Sequence, residues 1–288
     1  MGLNVVLLGY GAIGRSLHGM LERHAPSIEV LGVLDRTAGS TGTGQGNGQE
    51  TGPAADPATR RCVGDADSRL PVLTLAEALE RADVIAECAS PAAVRALGPA
   101  IIASGTDLLV ASLGALVDAG LRTALLDAGP GRTYLSTGAI GGLDLIRASA
   151  GTIRSIELDT RKPPAALLHA GLPEALRAWI NEAATLGEPR TVFAGTVARA
   201  VALFPSNINV AAALGLAAGD LGLVHVTITA DPAATQTHHA IGIRGSAGSY
   251  ELSIANAPDP HNPATSALTA RAMASGLLRL AGVGPHFI

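Results

Sequence analysis

The sequence predicts an α/β chain, with an N-terminal doubly wound parallel sheet followed by a second domain of the α+β class. Three observations carry that expectation. Short apolar runs alternate with helical periodicity between residues 4 and 111, the pattern of strands buried on both faces and joined by crossover helices. From about residue 153 the runs become half-apolar with partial alternation, the pattern of strands covered on one face only. At 288 residues the chain has the length of about two domains of roughly 150 residues each.

The elements follow in order. Residues 4–8 (Asn4-Val5-Val6-Leu7-Leu8) read as a buried strand and pass through a glycine turn into a helix whose apolar positions Ile13, Leu17 and Leu21 recur at helical spacing. Further strands are expected at 30–34, 84–87 and 108–111, with helices at 75–81 and 92–103. Between the second and third strands, residues 37–60 are dominated by Gly, Thr, Ser, Gln, Asn and Pro, a composition read as a flexible surface insertion. In the second half, 156–160, 224–230, 240–244 and 250–255 are the expected strands of an open, antiparallel or mixed sheet. An amphipathic last helix over 264–280 is expected to pack back on the first domain. The domain reading is 1–137, completed by a C-terminal helical segment 262–288, and 138–261.

Composition narrows the function. With 48% hydrophobic and 15% charged residues, the chain can bury a sizeable core and is not globally disordered. A net charge of −4 without a basic run speaks against nucleic acid or an anionic membrane surface as partner, and leaves small molecules. No apolar run reaches the roughly 20 residues that a membrane helix needs. Two cysteines, Cys62 and Cys88, make no disulfide framework, and the N-terminus enters a strand pattern directly, so a reducing, cytoplasmic location is expected. No His/Cys cluster has metal-ligand spacing. Lys162 is the one lysine against nineteen arginines, so its identity calls for an explanation.

Gly9-Tyr10-Gly11-Ala12-Ile13-Gly14 is the Gly-x-Gly-x-x-Gly pattern, placed directly after a strand and opening a helix. Gly9 permits the tight turn, Gly11 lets the backbone approach a pyrophosphate and Gly14 allows close packing of the helix. Ala12 and Ile13 begin the helix whose N–H groups and dipole attract phosphate. Asp35 closes the second strand about 20 residues on, where a carboxylate accepts from the ribose hydroxyls. Arg36, next to it, suits a 2′-phosphate instead, so NAD is favoured and NADP stays open. The first domain is thus a Rossmann domain. Ala89 and Ser90, after the third strand at the sheet's carboxyl edge, are assigned to the same cofactor. Cys88 beside them is read as a small buried hydrophobe.

Six further segments, in order along the chain, resemble the L-aspartate dehydrogenase family. They are Glu87-Cys88-Ala89-Ser90-Pro91, the run from Thr137 through Gly138, Ala139, Ile140, Gly141, Gly142 and Leu143 to Asp144, and Lys162-Pro163-Pro164. The others are the run from Phe204 to Ala211, Ala230-Asp231-Pro232 followed by His239, and Asn262-Pro263-Ala264-Thr265-Ser266. The resemblance implies a second domain like that of dihydrodipicolinate reductase, a homodimer, and oxidative deamination of aspartate to iminoaspartate or oxaloacetate, with a place in pyridine-nucleotide biosynthesis. Two positions depart from the family. Thr237 stands two residues before the histidine where the family usually has Asn, and Ala264 stands where it usually has Lys or Arg. Both bear on the substrate rather than on the reaction type.

By the same resemblance His239 takes the catalytic position, and a histidine suits proton transfer because it titrates near neutrality. His238 points to the opposite face if the segment is a strand. Lys162 is read as a catalytic and substrate-binding cation, since desolvated carboxylates need a cationic partner; Arg161 fits less well. Asn207 and Asn209 suit the nicotinamide amide or the substrate, or else a helix cap. Ala139, between glycines, would offer backbone to the cofactor. Two other readings stay open: a reductase of another small amino, imino or oxo acid, and a non-catalytic nucleotide sensor.

Overall fold

The structure is a computed structural model and describes residues 2–34, 62–63, 69–205, 208–260 and 262–284, with backbone alone for 62–63 and 263–264. The expected insertion 37–60, and the candidates Asp35, Arg36 and Asn207, lie outside the described residues.

The first sheet has seven strands: β1 (Leu3–Leu8), β2 (Ile28–Leu34), β3 (Cys62–Val63), β4 (Leu70–Leu73), β5 (Val84–Glu87), β6 (Asp107–Val110) and β7 (Thr133–Leu135). Their spatial order is β3-β4-β2-β1-β5-β6-β7, and every pairing except β3 with β4 is parallel. Sequence order reverses at β1, which lies between β2 and β5, so the crevice at the carboxyl ends of β1 and β5 is the switch point where such sheets bind ligands. Val5, Val6, Leu7 and Leu8 are wholly buried, as a central strand covered on both faces requires. The crossover helices are α1 (Ala12–His24), α2 (Leu75–Arg81), α3 (Pro91–Ser104) and α4 (Ala119–Leu126). Each of the middle two starts on a side-chain cap: Thr74 and Glu77 form a capping box on α2, and the Ser90 hydroxyl accepts from the Ala93 N–H ahead of Pro91 on α3.

The second sheet is open and mixed, as expected. It comprises β8 (Ile153–Lys162), β9 (Arg190–Thr196), β10 (Val224–Ala230), β11 (Thr237–Gly245) and β12 (Ser249–Asn256), in the order β12-β11-β8-β10-β9, with β8 and β10 parallel and the other pairs antiparallel. Helices α5 (Leu143–Ala148), α6 (Glu174–Leu186), α7 (Val197–Leu203) and α8 (Asn209–Ala218) accompany it. A hairpin of β13 (Pro258–Asp259) and β14 (Asn262–Ser266) leads into α9 (Ala267–Leu280).

The last helix therefore opens at Ala267, three residues later than the periodicity predicts, and residues 262–266 are strand instead. The Ser266 hydroxyl accepts from the Leu268 N–H and so caps the helix at that point, while residues before it pair with β13. As expected, α9 returns to the first sheet. Its Met273, Ala274 and Leu277 join Val5, Leu7, Leu17 and Leu109 in one buried cluster beside α1. From the opposite face, Val6, Ile85 and Val110 continue through Leu113 and Leu116 to Ile156, Val226 and Ile241 of the second sheet, so the two sheets share one core. Among the described residues no helix is long and apolar enough to cross a membrane.

Two glycines of the first turn are required by packing. Gly9 has φ +95°, and a Cβ there would lie 2.7 Å from that of Ala89; a Cβ at Gly14 would lie 2.5 Å from the Gly9 carbonyl oxygen. Gly11 differs, because an added Cβ would meet no protein atom within 4 Å and φ is −79°. Gly14→Ala should therefore cost about 1–3 kcal/mol of stability by overpacking, whereas Gly11→Ala should cost well under about 1 kcal/mol. Denaturant unfolding of the two variants checks the contrast, and equal losses would contradict it.

Candidate active site

A cleft separates the carboxyl edge of the first sheet from the inner face of the second. The first sheet contributes Ile13 of α1, Ala111 beyond β6 and Leu113; the second contributes Lys162 and His239. Strand geometry makes the latter pair. In the antiparallel ladder between β8 and β11, His239 stands opposite Thr160, and Lys162 lies two residues beyond Thr160 on the same face. His238 falls on the other face, where its Nε2 lies 2.9 Å from the Ser253 hydroxyl. Arg161, also on that face, is half exposed and lies 3.8 Å from the Asp231 carboxylate.

Burial governs the charges. Lys162 is 5% exposed and His239 3%. Desolvation lowers the Lys162 ammonium from its ordinary range to about 8. His239 falls further, to about 3, chiefly through burial and then through the charges of Lys162 and His238. At neutral pH the cleft thus holds one ammonium and one uncharged imidazole. The Thr160 hydroxyl, 1% exposed, lies 3.0 Å from Nδ1 of His239. With the ring proton on Nδ1 and donated to Thr160, Nε2 presents its lone pair as a base.

Other candidates take varied places. Asn209 lines the cleft at the first turn of α8, and its Oδ1 accepts from the Gly114 N–H at 2.9 Å; the amide ties α8 to the loop after β6. Ile208, not Asn209, occupies the N-cap position of α8. Ala139 lines the cleft between Gly138 and the β11 side, and its carbonyl accepts from the Asn256 amide at 2.7 Å. Gly9, Gly11, Ala12 and Gly14 form the turn and the start of α1 beside it. Ala89 packs against Gly9 and donates its N–H to Glu87, while Ser90 spends its hydroxyl on the α3 cap. Burial and the neighbouring Glu87 push the Cys88 thiol well above its ordinary range, which leaves it an unreactive packing residue. Thr237, one of the two departures from the family pattern, lines the cleft with Thr265 and Ser266.

Thr160 and Asn256 carry no signal of their own in the sequence, and Glu87 opens one of the segments that resemble the family but has no role assigned there. Strand alternation places Thr160 on the Lys162 face, but only the register with β11 sets it against His239.

Comparison with known proteins agrees with this architecture. A model of the aspartate dehydrogenase C-terminal domain matches residues 144–280, and one of the homoserine dehydrogenase NAD-binding domain matches residues 9–131. The L-aspartate dehydrogenase of Methanosarcina barkeri is 37% identical over 212 residues, which cover 72% of this chain and 77% of that protein. That of Ruegeria pomeroyi is 32% identical over an alignment of 99% of this chain and 95% of its own. The crystal structure of aspartate dehydrogenase from Thermotoga maritima has the same fold, with a TM-score of 0.64 and 24% identity over 100% of this chain and 99% of that one. Sequence relatives that span most of both partners, two matched domain models and a shared fold place the chain in the L-aspartate dehydrogenase family.

Proposed function

We propose that this chain catalyses the NAD(P)-dependent oxidative deamination of L-aspartate to iminoaspartate, with hydrolysis to oxaloacetate and ammonia, and the reverse reductive amination. The observation that supports this reading most is the pairing of buried Lys162 and His239 on one strand face, across a cleft from the start of α1 and the end of β6.

The residues at the start of α1 fit a pyridine nucleotide. Around Gly11 there is room that no protein atom fills, and the first N–H groups of α1 are available to a pyrophosphate. Gly9, Gly11, Ala12, Ile13 and Gly14 then hold the phosphates, Ala89, Ser90 and Ala139 frame the nicotinamide half, and Asn207 supplies an amide. Asp35 favours NAD, and Arg36 next to it accommodates NADP. When bound, the nucleotide supplies the hydride acceptor.

In this scheme the Lys162 ammonium holds a substrate carboxylate and Asn209, whose Oδ1 accepts from the Gly114 N–H, orients the substrate by donating from its amide NH₂ to a carboxylate oxygen. The uncharged His239 accepts the proton that the substrate nitrogen releases as the Cα–H bond is broken, and Thr160 fixes the ring so that Nε2 does so. The ring first gives that proton up to solvent; the uncharged imidazole then takes a proton from the water that adds to the iminium carbon and passes it to the nitrogen, which leaves as ammonia. Thr237 and residue 264 are where this chain tunes the acid it accepts. A panel of 2-oxo acids with ammonia and NADH tests the substrate, with oxaloacetate expected to be preferred and equal turnover of unrelated acids pointing to another small-acid reductase.

The finer organisation belongs to the same proposal: a dinucleotide-binding unit of residues 1–137 completed by α9, a catalytic unit of 138–261, a homodimer, a cytoplasmic enzyme, and an iminoaspartate product that feeds pyridine-nucleotide synthesis. The outer face of the second sheet, where Glu157, Asp159 and His225 are exposed, is available to a partner subunit.

His239→Ala should lower kcat by about 10²- to 10⁴-fold with NADH affinity within a few fold, and His238→Ala should be mild. Thr160→Val should cost about tenfold in kcat, with Thr160→Ser restoring most of it. Steady-state kinetics with parallel NADH titrations check this; equal effects at 238 and 239 would remove the assignment.

A further inference from the structure

Glu87 ends β5 and is 0% exposed, a carboxylate with no access to water. Both of its oxygens are taken up by donors. Oε1 accepts from the Ala89 N–H and the Ser112 hydroxyl, each at 2.9 Å. Oε2 accepts from the Ala111 N–H at 3.1 Å and the Ser112 N–H at 2.8 Å. Three of the four partners are backbone amides, which only donate, so the arrangement requires an acceptor at each oxygen and holds the ionised form. Burial pushes the carboxyl upward, and the bonds from Ser112, Ala89 and Ala111 oppose that shift.

A buried carboxylate is costly unless its bonds serve the fold or a site. These bonds join two turns that are far apart in sequence, the one between β5 and α3 and the one that leaves β6. Both turns reach the cleft side of the sheet. Ala111 lines the cleft, and Ala89 is the residue against which the tight turn at Gly9 packs. Through two contacts the carboxylate thus connects the glycine turn to the wall of the cleft.

We propose that Glu87 is a positioning residue for the pyridine nucleotide, fixing the β5–α3 turn and the exit of β6 against the glycine turn without touching the ligand. This rests on the reading of the glycine turn and cleft as the nucleotide site. Glu87→Gln is the sharpest variant because shape is kept and only acceptor capacity changes. The new amide must turn its NH₂ toward the side where the Ser112 hydroxyl is able to accept, and the Ala89 N–H is then left facing a donor. The loosened contact is the one that backs Gly9.

The test is NADH binding, followed by its own fluorescence, with KM values for nucleotide and aspartate measured separately. Glu87→Gln should weaken NADH about tenfold and raise the nucleotide KM in step, while the aspartate KM moves less than about twofold. Ser112→Ala, which removes one bond and leaves the three amides in place, should weaken NADH about threefold, and it decides the matter if Glu87→Gln does not fold. NADH affinity within about twofold of the parent in the folded variant, or a parallel rise of both KM values, would overturn the proposal. If the parent chain itself bound no NADH, the nucleotide reading would fall first; binding by the parent that both variants leave unchanged would overturn Glu87 alone.

Discussion

A desolvated cleft that contains two protonatable side chains constrains everything else in this molecule. Lys162 and His239 are both almost fully buried; burial disfavours the charging of each, and the Lys162 charge further disfavours that of His239. The cleft keeps one cation and one neutral base, groups that are costly to bury in the folded chain. In the proposed scheme a dicarboxylate substrate brings negative charge to this pair, so its binding favours the charged forms that burial disfavours. The chain has a single lysine and uses arginine elsewhere. An ammonium, unlike a guanidinium, changes its proton affinity readily when desolvated, which suits a site where charge must follow the ligand.

The fold holds this pair in place by register and by a shared core. A slip of one residue between β8 and β11 would turn His239 toward solvent and bring His238 inward. That register is set by the alternating burial of Ile156, Leu158, Thr160 and Lys162 on β8 and of His239, Ile241 and Ile243 on β11. The cluster that runs from the first sheet through Leu113 and Leu116 to the second keeps the cleft walls together. On the first-sheet wall, the tight packing of Gly9 on Ala89, the Glu87 bonds and the Gly114–Asn209 bond give the same rigidity through backbone contacts.

Much of this was legible in the sequence where one physical signal dominates. A strand buried on both faces, such as 84–87, whose polar residue Glu87 comes last, and a half-buried strand such as 224–230 coincide with the observed elements. The glycine turn was legible because each glycine answers a separate steric demand. What escaped were short strands and edges: β4, one strand in from the edge, has four residues and carries Pro71, β7 at the other edge has three residues, and β9 lies at the margin of the second sheet with Gly195 inside it. Edge strands bury less and need less pattern. The last helix is shorter at its start than the periodicity predicts, because residues 262–266 pair with β13 and the Ser266 cap that opens the helix is a local hydrogen bond. Thr160 and Glu87 escaped for a different reason: their partners are 79 and 25 residues away, and only tertiary pairing shows them.

The proposal that a dicarboxylate binds beside Lys162 and His239 has a direct thermodynamic test. With Lys162 lowered to about 8 by burial, its amine is only partly protonated at pH 8. A bound dianion stabilises the charged forms and raises the proton affinity of both Lys162 and His239, so binding must draw protons from solution. Calorimetry of succinate, a dicarboxylate that lacks an amino group, binding to the NADH-loaded protein at pH 8 in buffers of different ionisation enthalpy measures this number. The account predicts net proton uptake on binding, and binding with no proton change, or with release, would contradict it.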